Sequence, residues 1–232
     1  MHSIYIFILI FIVGIILFFS CYKFDVATFN SNKPGKNILI IAGTHGNEPS
    51  GTESISVFKN LLKNRKLFIK SGKLTIISNL NRCGYYTNTR FYNKIGKEYD
   101  LNRLYSTNFI VNKKVEEIVK KNDIILDFHE GWGYINRDKY SIGSSITYDG
   151  INKNDIVKLI KILNEDIKKE YKKFSISNRK IIKGSLREYS LKNNKSYILL
   201  ETTGQNNIQH INTRINQCNI FLLYFLKKYN MI

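Results

Sequence analysis

From residue 37 onward, short apolar runs alternate with stretches of helical period, and this alternation sets the fold class. "NILIIAG" (37–43), "KLTIISNL" (73–80), "DIILDFH" (123–129), "YSIGSSITY" (140–148) and "SYILLE" (196–201) read as strands. Between and after them come "EPSGTESISVFKNLLKN" (48–64), "VNKKVEEIVKKN" (111–122), "KNDIVKLIKILNEDIKKEYKKF" (153–174) and "INTRINQCNIFLLYFLKKY" (211–229). In the third of these, Ile156, Leu159, Ile160 and Leu163 fall on one helical face. Strands interleaved with helices predict an α/β/α sandwich on a mixed, largely parallel sheet. With 232 residues the chain is long enough for one good-sized core and too short for two ordinary domains. The stretch 81–108 shows little period and many Tyr, Asn and Arg, so it reads as a long polar loop of functional interest.

The first 22 residues are different in kind. "IYIFILIFIVGIILFFSCY" (4–22) contains one serine and no charge. It has the length of a membrane span and no polar face. Its exit, "FFSCY", is not a small-residue cleavage site, so an uncleaved N-terminal transmembrane helix (1–22) is expected rather than a signal peptide. A polar linker (23–36) and the main domain (37–232) follow. Lys23, Lys33 and Lys36 come after the span and no Lys or Arg comes before it, which places the domain on the cytoplasmic side of the membrane. Three cysteines without a C-x-x-C argue against a disulfide framework and fit a reducing compartment.

A formal net charge of +18 suggests an anionic partner. Lys, Asn and Ile are abundant throughout, so a general compositional bias also accounts for the charge. No RNP-like, zinc-finger or helix-turn-helix pattern is present, so nucleic acid is not expected as a partner.

Chemistry concentrates where predicted strands end, the usual ligand position in open α/β sheets. Just past "NILIIAG" come His45 and Glu48, in "GTHGNEPSG". "DIILDFH" closes on His129, two residues after Asp127, and "SYILLE" closes on Glu201. Of the four histidines, His2 lies in the apolar segment and His210 opens the last helix without an acidic neighbour. His45, Glu48 and His129 are therefore the expected ligands of one metal ion. Two imidazoles and one carboxylate leave the fourth position of a tetrahedral zinc open.

In order along the chain, "GTHGNEPSG", "DLNR" (100–103), "DFHE" (127–130) and "LET" (200–202) resemble zinc carboxypeptidases. The first motif is most similar to the succinylglutamate desuccinylase/aspartoacylase branch. The resemblance spans roughly residues 37–226. It implies one zinc on His45, Glu48 and His129, with Glu201 as general base or acid. Asn102 and Arg103 would hold a substrate carboxylate, and Arg90 would polarise the scissile carbonyl, with Arg82 an alternative in the same segment. Asp127 would accept a hydrogen bond from a ligating imidazole. Tyr85, Tyr86, Tyr92 and Trp132 are candidates either to line the cleft or to pack.

The resemblance implies a zinc-dependent amide hydrolase acting next to a substrate carboxylate, on an N-acyl amino acid or on a small peptide terminus. Deacylases of the branch often add a β-rich domain. This chain ends in a helix, which keeps a small carboxypeptidase open. A binding module that keeps the fold without the reaction, at a membrane, is the other class.

Overall fold

The computed structural model of the chain describes Tyr5 and residues 23–94 and 96–232. The predicted membrane span lies outside the described residues but for Tyr5. Among the described residues, no helix is long and apolar enough to cross a membrane.

The elements run β1 (Ala27–Asn30), β2 (Asn37–Ala42), α1 (Pro49–Lys63), β3 (Lys73–Ile77), α2 (Arg82–Thr87), β4 (Tyr92–Lys94), β5 (Lys97–Tyr99), α3 (Ile110–Lys120), β6 (Ile124–Gly131), β7 (Ser145–Asp149), α4 (Lys153–Asn164), β8 (Ser175–Ile176), α5 (Leu186–Lys192), β9 (Ser196–Thr203) and α6 (Ile211–Lys228). Seven strands form one sheet in the order β1-β3-β2-β6-β9-β7-β8, and β4 and β5 form a separate hairpin. The centre is parallel: β3, β2, β6 and β9 run together. β1 and β7 join antiparallel, on β3 and β9 respectively. The sheet is mixed and mostly parallel, as the strand–helix alternation predicts.

Alternate residues of a strand face opposite sides of the sheet, and β2 shows why the sandwich has three layers. Ile38, Ile40 and Ala42 join a core with Ile55 and Phe58 of α1, Leu159 of α4 and Phe221 and Phe225 of α6. Leu39 and Ile41 join a second core with Val115 and Val119 of α3 and Leu186 and Tyr189 of α5. Phe221 is fully buried and stands edge-on to Phe128 at 5.1 Å between ring centroids. Phe221→Ala is expected to cost about 3–5 kcal/mol of stability, read as a lowered urea midpoint.

Several expectations need correction. Residues 23–36 are more than a linker, because they contribute β1 to the sheet edge. The polar stretch 81–108 is not one loop: it holds α2, the β4–β5 hairpin and a 3₁₀ turn at Leu101–Arg103. The long helix predicted over 153–174 stops at Asn164, whose side chain bonds both backbone groups of Phe174 and turns the chain back. The strand expected over 140–148 is confined to Ser145–Asp149. Cys83 is disulfide-bonded while Cys218 is a buried free thiol. One disulfide is not a framework.

Candidate active site

The parallel centre of the sheet brings the predicted residues to one edge. The registers Ala42↔Phe128 and His129↔Glu201 place the carboxyl ends of β2, β6 and β9 side by side. The chain leaves β2 through Gly43, at φ 67°, where a Cβ would stand 2.6 Å from Thr52 Oγ1 and 2.8 Å from Asn79 Oδ1. At Gly46 a Cβ would overlap the backbone of Gly84. Only a bare backbone takes this path. Glu48 N then bonds back to His45 O at 3.3 Å, and Pro49 starts α1. The turn so formed aims both His45 and Glu48 at His129.

His45 Nδ1 lies 2.8 Å from Glu48 Oε1, and His129 Nδ1 lies 2.8 Å from Glu48 Oε2. The two Nδ1 atoms are 3.1 Å apart. All three side chains are buried, with one donor atom from each within 4.8 Å of the others. The outer nitrogens are backed by carboxylates: His45 Nε2 meets Asp100 Oδ1 at 3.0 Å, and His129 Nε2 lies 3.3 Å from Asp127 Oδ1. Tyr197 Oη donates to the other oxygen of Asp127 at 2.7 Å. Carboxylates behind metal-ligating imidazoles set the ring orientation and raise ligand basicity.

The charges ask for a cation. Burial alone would raise the pKa of Glu48, yet the imidazoles of His45 and His129 hold it well below the carboxylate range. Burial opposes protonation of His129, but Asp127 and Glu48 outweigh it and raise its pKa well above the ordinary imidazole value. Two Nδ1 atoms 3.1 Å apart cannot both carry protons aimed at each other. A cation accepting both lone pairs and the Glu48 carboxylate resolves the conflict, and nitrogen with carboxylate oxygen is a donor set that suits zinc. The residues fit the metal.

Around the cluster runs an open cleft of about 730 Å³, lined by Arg90, Asn102, Arg103, Arg179, Lys180 and Glu201 among others. Glu201 is 7% exposed, its Oε2 is buried without a partner, and burial pushes its carboxyl up to about 8. Arg90 is brought in, donating to Glu48 Oε1 at 3.0 Å and to Asp100 Oδ2 at 3.4 Å. Arg82, the alternative, is directed instead to the carbonyl of Lys23. Asn102 lines the cleft, but its Oδ1 accepts from Leu186 N at 2.9 Å, so its amide NH₂ is what it can offer a ligand. Arg103 is exposed on the rim, and its guanidinium donates to the neighbouring Asn102 carbonyl at 2.6 Å. His210 is outside the cleft and caps α6. The aromatic candidates do not line the cleft: Tyr92 packs edge-on to Phe109, and Tyr85 bonds Glu53.

Residues 34–135 match the Succinylglutamate desuccinylase/Aspartoacylase catalytic domain. This is the branch of the zinc carboxypeptidases that the first motif, "GTHGNEPSG", resembles most. The match to the desuccinylase/aspartoacylase catalytic domain takes in His45, Glu48, Arg90, Asn102, Arg103, Asp127 and His129, and it stops before Glu201. Solved structures extend the likeness of fold over most of the chain. The tripeptide-bound cell shape determinant Csd4 of Helicobacter pylori superposes with a TM-score of 0.74 at 16% identity, over 90% of this chain and 56% of that one. A candidate metallopeptidase from Shewanella denitrificans OS217 gives 0.65 at 18% identity, over 90% and 80%. The succinylglutamate desuccinylase/aspartoacylase of Rhodobacter sphaeroides gives 0.64 at 15%, over 89% and 58%. The chain thus spans little more than half the length of the Csd4 protein. No curated protein matches it.

Two contributors to the site, Asp100 and Gln205, escaped the sequence reading. Asp100 sits in the quoted "DLNR" but carried no assigned role. Gln205, just after the "ETTG" turn, donates to Glu48 Oε1 at 3.3 Å. Glu130 follows His129 in "DFHE", a place that leaves it either solvated or packed behind the ligating residues; it is the latter, 1% exposed and paired with Arg214.

Proposed function

We propose that the chain is a metal-dependent hydrolase of amide bonds that lie next to a substrate carboxylate. The meeting of His45, Glu48 and His129 at 2.8–3.1 Å, in one cleft with Glu201, carries this reading. Zinc held there would polarise the scissile carbonyl and lower the pKa of a bound water to about 7. Glu201 would accept the water's proton and pass it to the leaving amine. Its place beside His129 on the adjacent strand and its unpartnered oxygen suit that exchange. Arg90 would face the carbonyl oxygen as negative charge develops on it. Asn102 and Arg103 would hold the substrate carboxylate.

Two substrate classes fit, N-acyl amino acids and peptides with a free carboxyl terminus. Arg179 and Lys180, which share the cleft with Arg103, favour substrates that carry more than one anionic group. The H. pylori neighbour is described in an mDAP-bound form as a D,L-carboxypeptidase, which makes short cell-wall-type peptides a reasonable second arm. The apolar stretch 4–22 adds an N-terminal membrane anchor to the proposal. The flanking lysines favour the cytoplasmic side, whereas a disulfide at Cys83 favours an oxidising one. Protease accessibility of the domain in intact cells decides between them.

The test is a panel of N-succinyl and N-acetyl amino acids and short D,L-peptides, each as free acid and as amide, offered to zinc-loaded protein. Turnover of free acids and not of amides is expected. No turnover of any member by zinc-replete protein would leave the alternative, a binding module with the fold of a hydrolase. Within the panel, Arg103→Lys is expected to raise KM for the best free acid about tenfold, because lysine cannot make the bidentate pair with a carboxylate. An unchanged KM would remove Arg103 from carboxylate binding.

A further inference from the structure

Glu130 and Arg214 form an ion pair in the interior, 1% and 2% exposed. Arg214 stands in the first turn of α6, and its Nη1 donates to Glu130 Oε2. The other polar atoms of Glu130 all lead toward Glu48. Its Oε1 accepts from Ser50 N, two residues past Glu48 at the start of α1, at 2.7 Å. Its backbone N–H donates to Glu48 Oε2 at 3.0 Å. Its carbonyl accepts from Gln205 Nε2 at 2.7 Å, and the same Gln205 amide reaches Glu48 Oε1 at 3.3 Å. Gly204 is part of the arrangement, since a Cβ there would overlap the Glu130 carboxylate.

A buried ion pair carries a desolvation cost that an apolar pair of the same size avoids, so stability alone does not account for it. Its directional bonds do have a geometric effect. The first N–H groups of a helix lack partners within the helix. Here one of them is anchored on a carboxylate that is itself held by a buried arginine. The residue fixed in this way, Glu48, must present both oxygens to two imidazoles from different segments.

We infer that Arg214 and Glu130 are positioning residues for the metal-ligating carboxylate: the pair fixes the start of α1 so that Glu48 meets His45 and His129 together. This rests on the metal centre proposed above. It gives the terminal helix a part in the site beyond closing the sandwich.

The test compares zinc affinity, by competition with a chromogenic chelator, and the absorption spectrum of the cobalt-substituted full chain. Glu130→Gln/Arg214→Gln replaces the ion pair with neutral side chains, keeps an acceptor for Ser50 N and strands no charge. It is expected to bind zinc about 10–100-fold more weakly and to shift the cobalt bands, while the metal-free protein keeps its circular dichroism. Arg214→Lys keeps the cation but not the second N–H that reaches Asn207 Oδ1, 3.4 Å away. It is expected to fall between the double variant and wild type. Wild-type zinc affinity together with an unshifted cobalt spectrum, in whichever variant folds, would overturn the inference and leave the pair a purely structural contact. Wild-type protein that binds neither metal would instead remove the metal centre itself.

Discussion

Glu201→Gln is expected to keep the metal and to lower kcat by about 10²–10⁴-fold, the usual contribution of a positioned general acid or base. The substitution is nearly isosteric. Glu201 is beside His129 on the adjacent strand and is not among the three donors that converge on one point, so metal content is expected to stay at wild-type level. Glutamine cannot take a proton from water or hand one to a leaving amine. A change in KM without a change in kcat would mean that residue 201 binds substrate rather than moving protons. Wild-type kcat would show that the proton leaves by another route. The carboxyl is pushed up by burial first, while the charge of His129 pulls the other way. A dication next to it would draw it down further, so the resting charge of Glu201 depends on whether the metal is bound.

The second large effect is on metal content itself. Wild-type protein is expected to carry about one zinc per chain, and His45→Ala/His129→Ala to carry none, because a lone carboxylate cannot hold zinc at a three-donor site. Metal analysis after dialysis reads this directly, with circular dichroism as the fold control. The variant should fold, since removing the two imidazoles also removes the close approach of their Nδ1 atoms. Its Glu48 would keep Arg90 at 3.0 Å and the backbone N–H of Glu130 at 3.0 Å. Zinc retained at wild-type level would place the metal elsewhere and dismantle the mechanism built on this site.

What the sequence made legible follows from local physics. β2, β6 and β9 are apolar runs bounded by polar turns, and a buried parallel strand looks like that wherever it occurs. A histidine or glutamate closing such a run is conspicuous, which is why His45, Glu48, His129 and Glu201 could be singled out. The rest depends on packing between distant segments. No local pattern says that Asp100 reaches His45 across 55 positions, or that Arg214 meets Glu130 across 84. The hairpin β4–β5 and the seven-residue α5 were missed because their periods are too short to stand out. β1 was hidden because only its pairing with β3 makes a strand of it.

The strand order has a consequence for how the molecule assembles. β9 is the last strand in the chain, yet it lies between β6 and β7. β7 and β8, though synthesised earlier, have no place on the growing sheet until β9 has inserted, and its partner β6 is an open edge until then. Non-local parallel pairing of this kind is slow, because the loop must close before any contact rewards it. Protection of the β7 and β8 amides in pulse-labelled refolding should therefore arise no earlier than that of β9. Since β9 also brings Glu201, a chain caught before that step would hold the donors for a metal without the group that moves the proton. Hydrolytic competence would arrive with the final strand, as a by-product of closure.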